Sequence, residues 1–323
     1  MPKLKTVLIL GAGASHPYGF PLGHKLLLDI YNTTDQYQSN ASILKDDQQD
    51  FIRQWKGLCQ IDDRAIVEFA RLLRTSGHSS IDAFLAQAGA RNARLIDIGK
   101  AAIALQLVPY EDEDRLFHHV HNDGDDWYRH LWSSISDLAT LDDLAIITLN
   151  YDRSLEHFLY TSIRSSLSCT HDEASTTLKR LRIIHPHGQL GAHPYIGTSD
   201  SRAYGSGEKL EAAIKNIKIV SQAESTTEEF SKAREVIKGA QVICILGFAF
   251  NRQTLDRLEI HKNSNSNLII FASSFQLGAG FVDELKSLMP VKGKNCQFIP
   301  RKVNWVLSQS NALSEPIKRE LLL

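Results

Sequence analysis

Short apolar runs, each followed at once by small or polar residues, alternate along the chain with stretches of helical periodicity. Such a run, without polar alternation, is typical of a strand that is buried on both faces of a parallel sheet. The helical stretches between the runs can serve as the crossovers that parallel strands require. Six runs predict strands, at residues 6–10, 144–149, 182–184, 242–246, 268–271 and 297–299.

Between the first two runs the pattern is helical. Apolar residues recur at helical spacing over 22–31 and again over 51–137, whereas 32–50 is polar and 111–126 is acidic and rich in histidine, which predicts two loops. The predicted fold class is α/β: a Rossmann-like, mostly parallel sheet of about six strands flanked by helices, with an all-helical insertion after the first strand and helix. The domains would be residues 1–31 with 142–323, and the insertion 32–141.

Composition and charge narrow the class of protein. The chain has 323 residues, a net charge of −1 and 43% hydrophobic residues, as in an ordinary globular protein. A near-neutral chain has no overall attraction for nucleic acid or for an anionic membrane, so we expect neither as a partner. The sequence shows neither an apolar stretch of membrane-spanning length nor a signal-peptide pattern, which predicts a cytoplasmic protein.

The residues that commonly bind metals form no convincing pattern. The four cysteines are scattered and none belongs to a Cys-x-x-Cys pair, so we expect neither a structural zinc site nor a disulfide framework. His118, His119 and His121 could bind a metal ion or lie in a solvated loop. No carboxylate–histidine spacing follows them, and we expect no metal.

Glycine and polar residues follow the predicted strands at the points where the strands end. The carboxyl ends of parallel strands meet at one edge of the sheet, where α/β proteins bind their ligands. The convergence of a glycine turn, an amide, a carboxylate, two imidazoles and hydroxyls at that edge predicts a ligand site. The strand-end residues are Gly11, Ala12, Gly13, Ala14, Ser15, Asn150, Asp152, His185, His187, Gly188, Gly247, Phe248, Ser273 and Ser274.

Each of these residues also has an ordinary structural explanation. A Gly-x-Gly after a strand can be a tight turn and nothing more. Asn150 or Asp152 can cap the helix that follows them, and capping does not exclude contact with a ligand. His185 and His187 flank Pro186, and either can be a buried histidine with a structural role.

A Rossmann dehydrogenase is one alternative for the glycine turn at residues 11–15. Its fingerprint needs Gly-x-Gly-x-x-Gly and an acidic residue about twenty positions further on, at the end of a second strand. His16 occupies the position of the third glycine, and the candidates Asp29 and Asp35 follow a helix. The sequence therefore disfavours hydride transfer.

The strand-end motifs resemble those of sirtuins. Gly-Ala-Gly-Ala-Ser at 11–15 with Gly-Phe-Pro at 19–21 is similar to the sirtuin Gly-Ala-Gly-x-Ser…Gly-Ile-Pro signature. Thr-Leu-Asn-Tyr-Asp at 148–152 resembles the sirtuin Thr-Gln-Asn-x-Asp. His-Gly at 187–188 is similar to the sirtuin motif that supplies the catalytic base, and Gly-Phe at 247–248 falls where sirtuins carry Gly-Thr-Ser.

Departures from the sirtuin pattern point to one branch of the family. Leu-Gly-His at 22–24 stands where sirtuin deacylases carry Asp-Phe-Arg, and the two zinc-binding Cys-x-x-Cys pairs are missing. Asn-Tyr-Asp-Arg-Ser-Leu-Glu at 150–156 resembles the Asn-Tyr-Asp-x-x-Leu-Glu of sirtuin-like bacterial antiphage-defence proteins, which hydrolyse NAD⁺ to nicotinamide and ADP-ribose. We therefore predict an NAD⁺ hydrolase, with NAD⁺ as substrate and no metal.

Cleavage of the nicotinamide–ribose bond suggests a role for each motif. Backbone N–H groups of residues 11–15 suit the pyrophosphate, and the amide of Asn150 can orient both water and the ribose hydroxyls. His187 titrates near neutral pH and is the expected base, with His185 as the competing candidate. Asp152 would support the loop or contact the nicotinamide side. The other residues expected to line the NAD⁺ site are Pro21, Gly188, Gly247, Phe248 and Ser273.

A free NAD⁺ hydrolase would exhaust the NAD⁺ of its host, so we expect the activity to be gated. The gate would be assembly into a homo-oligomer or a separate regulatory partner, and the resemblance implies an ATPase or a nucleic-acid-guided protein. Two other functions stay open. One is a catalytically silent NAD⁺- or ADP-ribose-binding sensor or scaffold, and the other is an NAD⁺-dependent protein deacylase or ADP-ribosyl transferase.

Overall fold

The structure is a computed structural model that describes residues 5–40, 44–117, 125–136, 138–139, 141–196, 200–219, 227–309 and 313. His118, His119 and His121 lie outside these residues, so their role in metal binding stays an open prediction. Within the described ranges, no helix is both long and apolar enough to cross a membrane.

The described strands form one six-stranded sheet in which every neighbouring pair is parallel. The strand order is β3-β2-β1-β4-β5-β6, which confirms the predicted α/β fold class. The strands are β1 Thr6–Leu10, β2 Leu144–Thr148, β3 Arg182–Ile184, β4 Val242–Leu246, β5 Ile269–Ser273 and β6 Cys296–Ile299.

Helices cover both faces of the sheet. Alternate residues of β1 point to opposite faces, so Leu8 and Leu10 join one hydrophobic core and Val7 and Ile9 join the other. Because both faces are buried, the strands lack polar alternation, which explains why the apolar runs predict them well.

The helices α2–α8 all lie between β1 and β2, where the helical insertion is predicted. Their apolar side chains form one core with the β1 face that bears Leu8 and Leu10. The helices are α1 Ala12–Ser15, α2 Gly23–Asn40, α3 Asp46–Cys59, α4 Asp63–Thr75, α5 Ile81–Ala88, α6 Ala93–Leu107, α7 Glu113–Phe117, α8 Trp127–Ile135, α9 Ser154–Leu167, α10 His171–Leu178, α11 Leu210–Asn216, α12 Glu228–Lys238, α13 Arg252–Leu258, α14 Ala279–Leu288 and α15 Val303–Gln309.

Two predicted loops are wrong in part. Helix α2 continues to Asn40, and α3 begins at Asp46, inside the segment 32–50 that was expected to be a loop. The hydroxyl of Thr34 donates to Ile30 O at 3.1 Å, so a polar side chain can be buried in α2 and mask the helical pattern. Helix α7 likewise occupies part of the predicted loop 111–126.

The sheet has a topological switch point between β1 and β4. The chain runs from β1 to β2 and β3 on one side, and then returns to β4 on the other side of β1. Doubly wound α/β proteins bind ligands in the crevice outside the carboxyl ends of the strands at such a point. The glycine turn (residues 11–15) and Gly247 lie at this position.

Candidate functional site

The turns that follow β1 and β4 lie backbone to backbone. Gly11 N donates to Leu246 O at 3.0 Å, and Gly13 N donates to Gly247 O at 2.8 Å. A Cβ at Gly11 would lie 2.6 Å from Phe248 Cα, closer than real Cβ atoms approach. Gly247 has a φ of 62°, a conformation that favours glycine, and a Cβ there would collide with the backbone of Gly13. The glycines therefore permit the close approach of two turns.

This approach uses some of the N–H groups that were expected to face a phosphate. Gly11 and Gly13 donate to the β4 side, and Ala14 N donates to Gly11 O at 2.8 Å. Ala12 is the first residue of α1, so its N–H group has no acceptor within that helix. A phosphate at this turn would therefore meet the N–H group of Ala12, because the N–H groups of Gly11, Gly13 and Ala14 are engaged within the protein and the Ser15 hydroxyl hydrogen-bonds Asp152.

Asn150 binds the glycine turn directly. Its Nδ2 donates to Gly11 O and to Ser15 Oγ, both at 2.9 Å, and its own N donates to Thr148 Oγ1 at 3.3 Å. The side chain is half-buried, and both protons of its amide are used. The carbonyl oxygen Oδ1 is the atom of this side chain that can act on a substrate.

Asp152 is buried near the same turn and precedes the N-cap of α9, which is Arg153 and not Asp152 or Asn150. Its carboxylate accepts from Ser154 N at 3.2 Å and from the Ser154 hydroxyl at the start of α9. Burial raises the pKa of Asp152, whereas hydrogen bonds from Ser15 and Ser154 act in the opposite direction. The hydroxyl of Tyr128, in α8, lies 2.7 Å from Ser154 Oγ and so joins the same group of hydrogen bonds. The structural role of Asp152 is therefore present alongside any contact with ligand.

His187 and Gly188 lie in a tight turn after β3. Gly188 N donates to His185 O at 3.0 Å and closes this turn. Gly188 has a φ of 72°, and a Cβ at this position would collide with Asn216 O. The His187 ring packs edge-on against Phe230, with 5.5 Å between the ring centroids.

The two histidines of this turn have opposite electrostatic surroundings. Burial lowers the pKa of His187 below its ordinary value; Asp82 opposes the shift and Arg257 adds to it. Burial alone would also lower the pKa of His185, but the Glu156 carboxylate and its hydrogen bond outweigh burial and raise it. At neutral pH His187 is therefore the uncharged imidazole, the form that can accept a proton.

Helices of the insertion reach both motif loops. The indole Nε1 of Trp127, at the start of α8, donates to Ala14 O at 2.7 Å. The hydroxyl of Tyr151, between the two motif residues that follow β2, donates to Asp82 at the start of α5. The region between β1 and β2 therefore supports the site from one side.

A buried ionic cluster joins the insertion to the segment that follows His187. Glu111 accepts from Arg153 Nη2 at 2.8 Å and from Arg202 Nη2 at 2.5 Å, and all three side chains are 0% exposed. Arg153 Nη1 also donates to the carbonyls of Gly191 and Ala192, each at 3.2 Å. Hydrogen bonds satisfy these buried charges, as a buried ion pair requires.

The remaining predicted site residues take different positions. Pro21 is half-buried and lies between a short 3₁₀ turn and α2. Phe248 packs beside Phe250, with 5.2 Å between the ring centroids. Ser273 ends β5 instead of following it, and its hydroxyl donates to Arg301 O at 2.8 Å. This hydrogen bond gives Ser273 a role in joining the ends of β5 and β6.

The sequence motifs assign no role to Glu156 or to Asp82. Glu156 belongs to the 150–156 motif, and a carboxylate among the apolar positions of α9 is the signal that could identify it. Asp82 carries no local signal, because it reaches Tyr151 only through the packing of α5. Among the described residues, no three His, Cys, Asp or Glu side chains are grouped to bind a metal ion.

The strand order and the switch point define the chain as an α/β protein with a Rossmann-like fold. No protein-family profile matches the chain, and no curated protein matches it. The function must therefore be inferred from the motifs and from the chemistry of the strand ends.

Proposed function

We propose that the protein is a sirtuin-like NAD⁺ hydrolase that releases nicotinamide and ADP-ribose, with Asn150 and His187 as its catalytic residues. The observation that carries this proposal is the pair of hydrogen bonds from the Asn150 amide to Gly11 O and Ser15 Oγ, at the β1/β4 switch point. This contact puts an amide against a glycine turn where α/β folds bind dinucleotides. The motif resemblance supports the choice of NAD⁺ cleavage over hydride transfer.

Binding of NAD⁺ would use the groups that the fold leaves available. The N–H group of Ala12, the first residue of α1, would donate to the pyrophosphate. Asn150 Oδ1 would accept a hydrogen bond from a ribose hydroxyl or from the attacking water. The buried Asp152 would keep the turn and the start of α9 in place through its hydrogen bonds to Ser15 and Ser154.

The reaction needs a base because water must lose a proton when it adds to the ribose. Cleavage of the bond between C1′ and the pyridinium nitrogen leaves an oxocarbenium-like ribose and neutral nicotinamide. Water oxygen then bonds to C1′, and its proton passes to the uncharged imidazole of His187. Such a base typically contributes about a hundredfold to ten-thousandfold in rate.

The test is the release of nicotinamide from NAD⁺ by the purified chain, measured by chromatography. We expect His187→Ala and Asn150→Ala each to abolish release while the thermal unfolding midpoint stays close to that of the parent protein. His261→Ala and Asn267→Ala are matched controls, because both residues are exposed and lie in the segment between α13 and β5. If both site variants release nicotinamide at the parent rate, the site assignment is wrong.

The same assay separates the alternative functions. Release that strictly requires an acetylated peptide would indicate a deacylase and contradict the hydrolase. Binding of ADP-ribose without any release would indicate a sensor, and that binding would tolerate His187→Ala but not a substitution in the glycine turn.

We also propose that the activity is gated and serves antiphage defence in the cytoplasm; the family resemblance is the support for this role. Gating would come from homo-oligomer assembly or from a separate ATPase or nucleic-acid-guided partner. Light scattering of the chain, alone and with a co-expressed partner, tests this point. A monomer that is fully active by itself would contradict gating by assembly or by a partner.

A further inference from the structure

His185 lies between the two residues to which we assign the chemistry. Its ring atom Nδ1 is 3.3 Å from the backbone oxygen of Asn150. Its own backbone oxygen accepts from Gly188 N at 3.0 Å and closes the turn that bears His187. One residue therefore contacts the loop after β2 through its side chain and shapes the loop after β3 through its main chain.

Glu156 determines the orientation of the His185 ring. Ring atom Nε2 donates to Glu156 Oε1, and both side chains are only 10% exposed. Glu156 lies in the first turn of α9, so the ring is held against a helix and not against a loop. With a carboxylate at Nε2 and a carbonyl at Nδ1, both ring nitrogens face acceptors, and the ring acts as a donor at each end.

The bonds form a continuous chain across three strand ends. It runs from Glu156 to His185, from His185 to the backbone of Asn150, and from the Asn150 amide to Gly11 O and Ser15 Oγ. The carbonyl that His185 contacts belongs to the residue whose side chain holds the glycine turn. A shift of this ring would therefore move the Asn150 amide relative to the turn.

We propose that His185, oriented by Glu156, is a positioning residue that sets the Asn150 amide and the His187 turn in a fixed relation to one another. The inference rests on the proposed function, in which Asn150 and His187 act on the same substrate. It also separates the roles of the two histidines: His185 has both nitrogens engaged within the protein, whereas His187 is the base.

A merely structural role makes a different prediction. A buried ion pair can often be replaced by apolar residues of similar size without loss of stability, whereas removal of one partner leaves an unpaired buried charge. If the pair of His185 and Glu156 only stabilises the fold, an apolar replacement of both partners restores the unfolding temperature and kcat. If the pair positions Asn150, the replacement restores the unfolding temperature but not kcat.

The experiment therefore compares His185→Phe with the double variant His185→Phe/Glu156→Leu. We expect the single variant to have a lower unfolding temperature and a kcat reduced about a hundredfold, the scale of a misplaced catalytic group. The double variant should regain the unfolding temperature but keep the low kcat, with KM for NAD⁺ close to that of the parent protein. Recovery of kcat in the double variant would overturn the positioning role.

A second readout does not depend on turnover. The side-chain amide of Asn150 can be followed by NMR of protein labelled with ¹⁵N-asparagine, and its signal is assigned by its loss in Asn150→Ala. We expect this signal to shift in the double variant; an unchanged signal would overturn the inference. A parent protein that releases no nicotinamide would instead contradict the proposed function, while the NMR comparison still tests the positioning role.

Discussion

The two halves of the sheet present different chemistry at the same edge. After β1, β2 and β3, side chains make the connections, as when the Asn150 amide binds Gly11 O and His185 binds Glu156. The turn after β4 contacts the glycine turn through main-chain atoms, since Gly13 N donates to Gly247 O, and the Ser273 hydroxyl donates to Arg301 O within its own half of the sheet. Toward the glycine turn, the first half (β1–β3, the polar half) therefore contributes polar side chains, and the second half (β4–β6, the backbone half) contributes main-chain contacts.

The insertion contacts two loops of the polar half through hydrogen bonds. Its residues Asp82 and Trp127 bind Tyr151 and Ala14, which belong to the loops after β2 and β1. Polar side chains that must keep one geometry need surrounding groups that restrict them, and loops alone provide few. The insertion therefore supports the loops after β1 and β2 at the candidate site. Substitutions in the two halves of the sheet should differ in their effects on unfolding free energy and on nicotinamide release.

The largest effect on stability is expected from Glu111→Ala, which breaks the buried cluster on the polar half. Arg153 and Arg202 would keep their charges in a buried place without a carboxylate partner. Removal of one partner of a buried pair costs about 3–5 kcal/mol of unfolding free energy. Urea denaturation measures this loss. Glu113→Ala is the matched control, because its ion pair with His157 is largely exposed on the Glu113 side, and equal losses would contradict the special role of the cluster.

A smaller loss of unfolding free energy is expected from Gly247→Ala, which lies after β4 on the backbone half of the sheet. The new Cβ would collide with the backbone of Gly13, and alanine would have to adopt a φ of 62°. Strain of this kind costs about 1–3 kcal/mol. Gly278→Ala is the control, because nothing lies within 4 Å of its Cβ position. Urea denaturation that finds the two alanine variants equally stable would contradict the backbone contact between the turns.

Tyr151→Phe removes a single oxygen atom and tests whether the contact between the insertion and the site affects activity. It removes the hydroxyl that donates to Asp82 and leaves the ring buried. Loss of one hydrogen bond costs about 1 kcal/mol of unfolding free energy. Asp82 is half-buried, so water can bind its carboxylate in place of the Tyr151 hydroxyl and reduce this loss. We expect a modest loss of unfolding free energy with a larger proportional loss of nicotinamide release. Full activity in this variant would argue against support of the site by α5.

The smallest expected effect concerns two histidines, whose pKa values should be shifted in opposite directions. NMR should show His187 titrating below the ordinary histidine pKa and His185 above it. Because protonation of His187 disfavours the folded state, its contribution to stability is lost as pH falls from about 6.5 through its lowered pKa. The contribution of His185 is complete below about 6.5 and is lost as pH rises through its raised pKa.

Titration of both histidines at the ordinary value would remove this distinction between them. It would also reopen the choice of base between His185 and His187. The pH profile of nicotinamide release provides a separate check, since the acid limb should follow the titration of the base.

Much of the fold could be predicted from local sequence. The bounds of β1 and β4 agree with the apolar runs, because strands buried on both faces are continuous in apolar residues. The bounds of the edge strand β3 agree as well, although it begins at the exposed Arg182. The end of α2 could not be predicted, because Thr34 is buried through a hydrogen bond to its own helix and not through an apolar side chain. The sequence also predicted that Asn150 and the glycine turn meet at one edge of the sheet, where Asn150 Nδ2 does donate to Gly11 O; their role in binding a ligand stays a prediction.

The sequence by itself determined which residues stand at the strand ends, because an apolar run must stop where the chain leaves a buried sheet. Only the tertiary structure decided which N–H groups of the glycine turn are used against β4, and which of the two histidines is paired with Glu156. These choices depend on the contacts of residues far apart in the chain, from Asp82 in α5 to Gly247 after β4. Hydrogen bonding and burial then shift the pKa values of two chemically identical side chains, His185 and His187, in opposite directions.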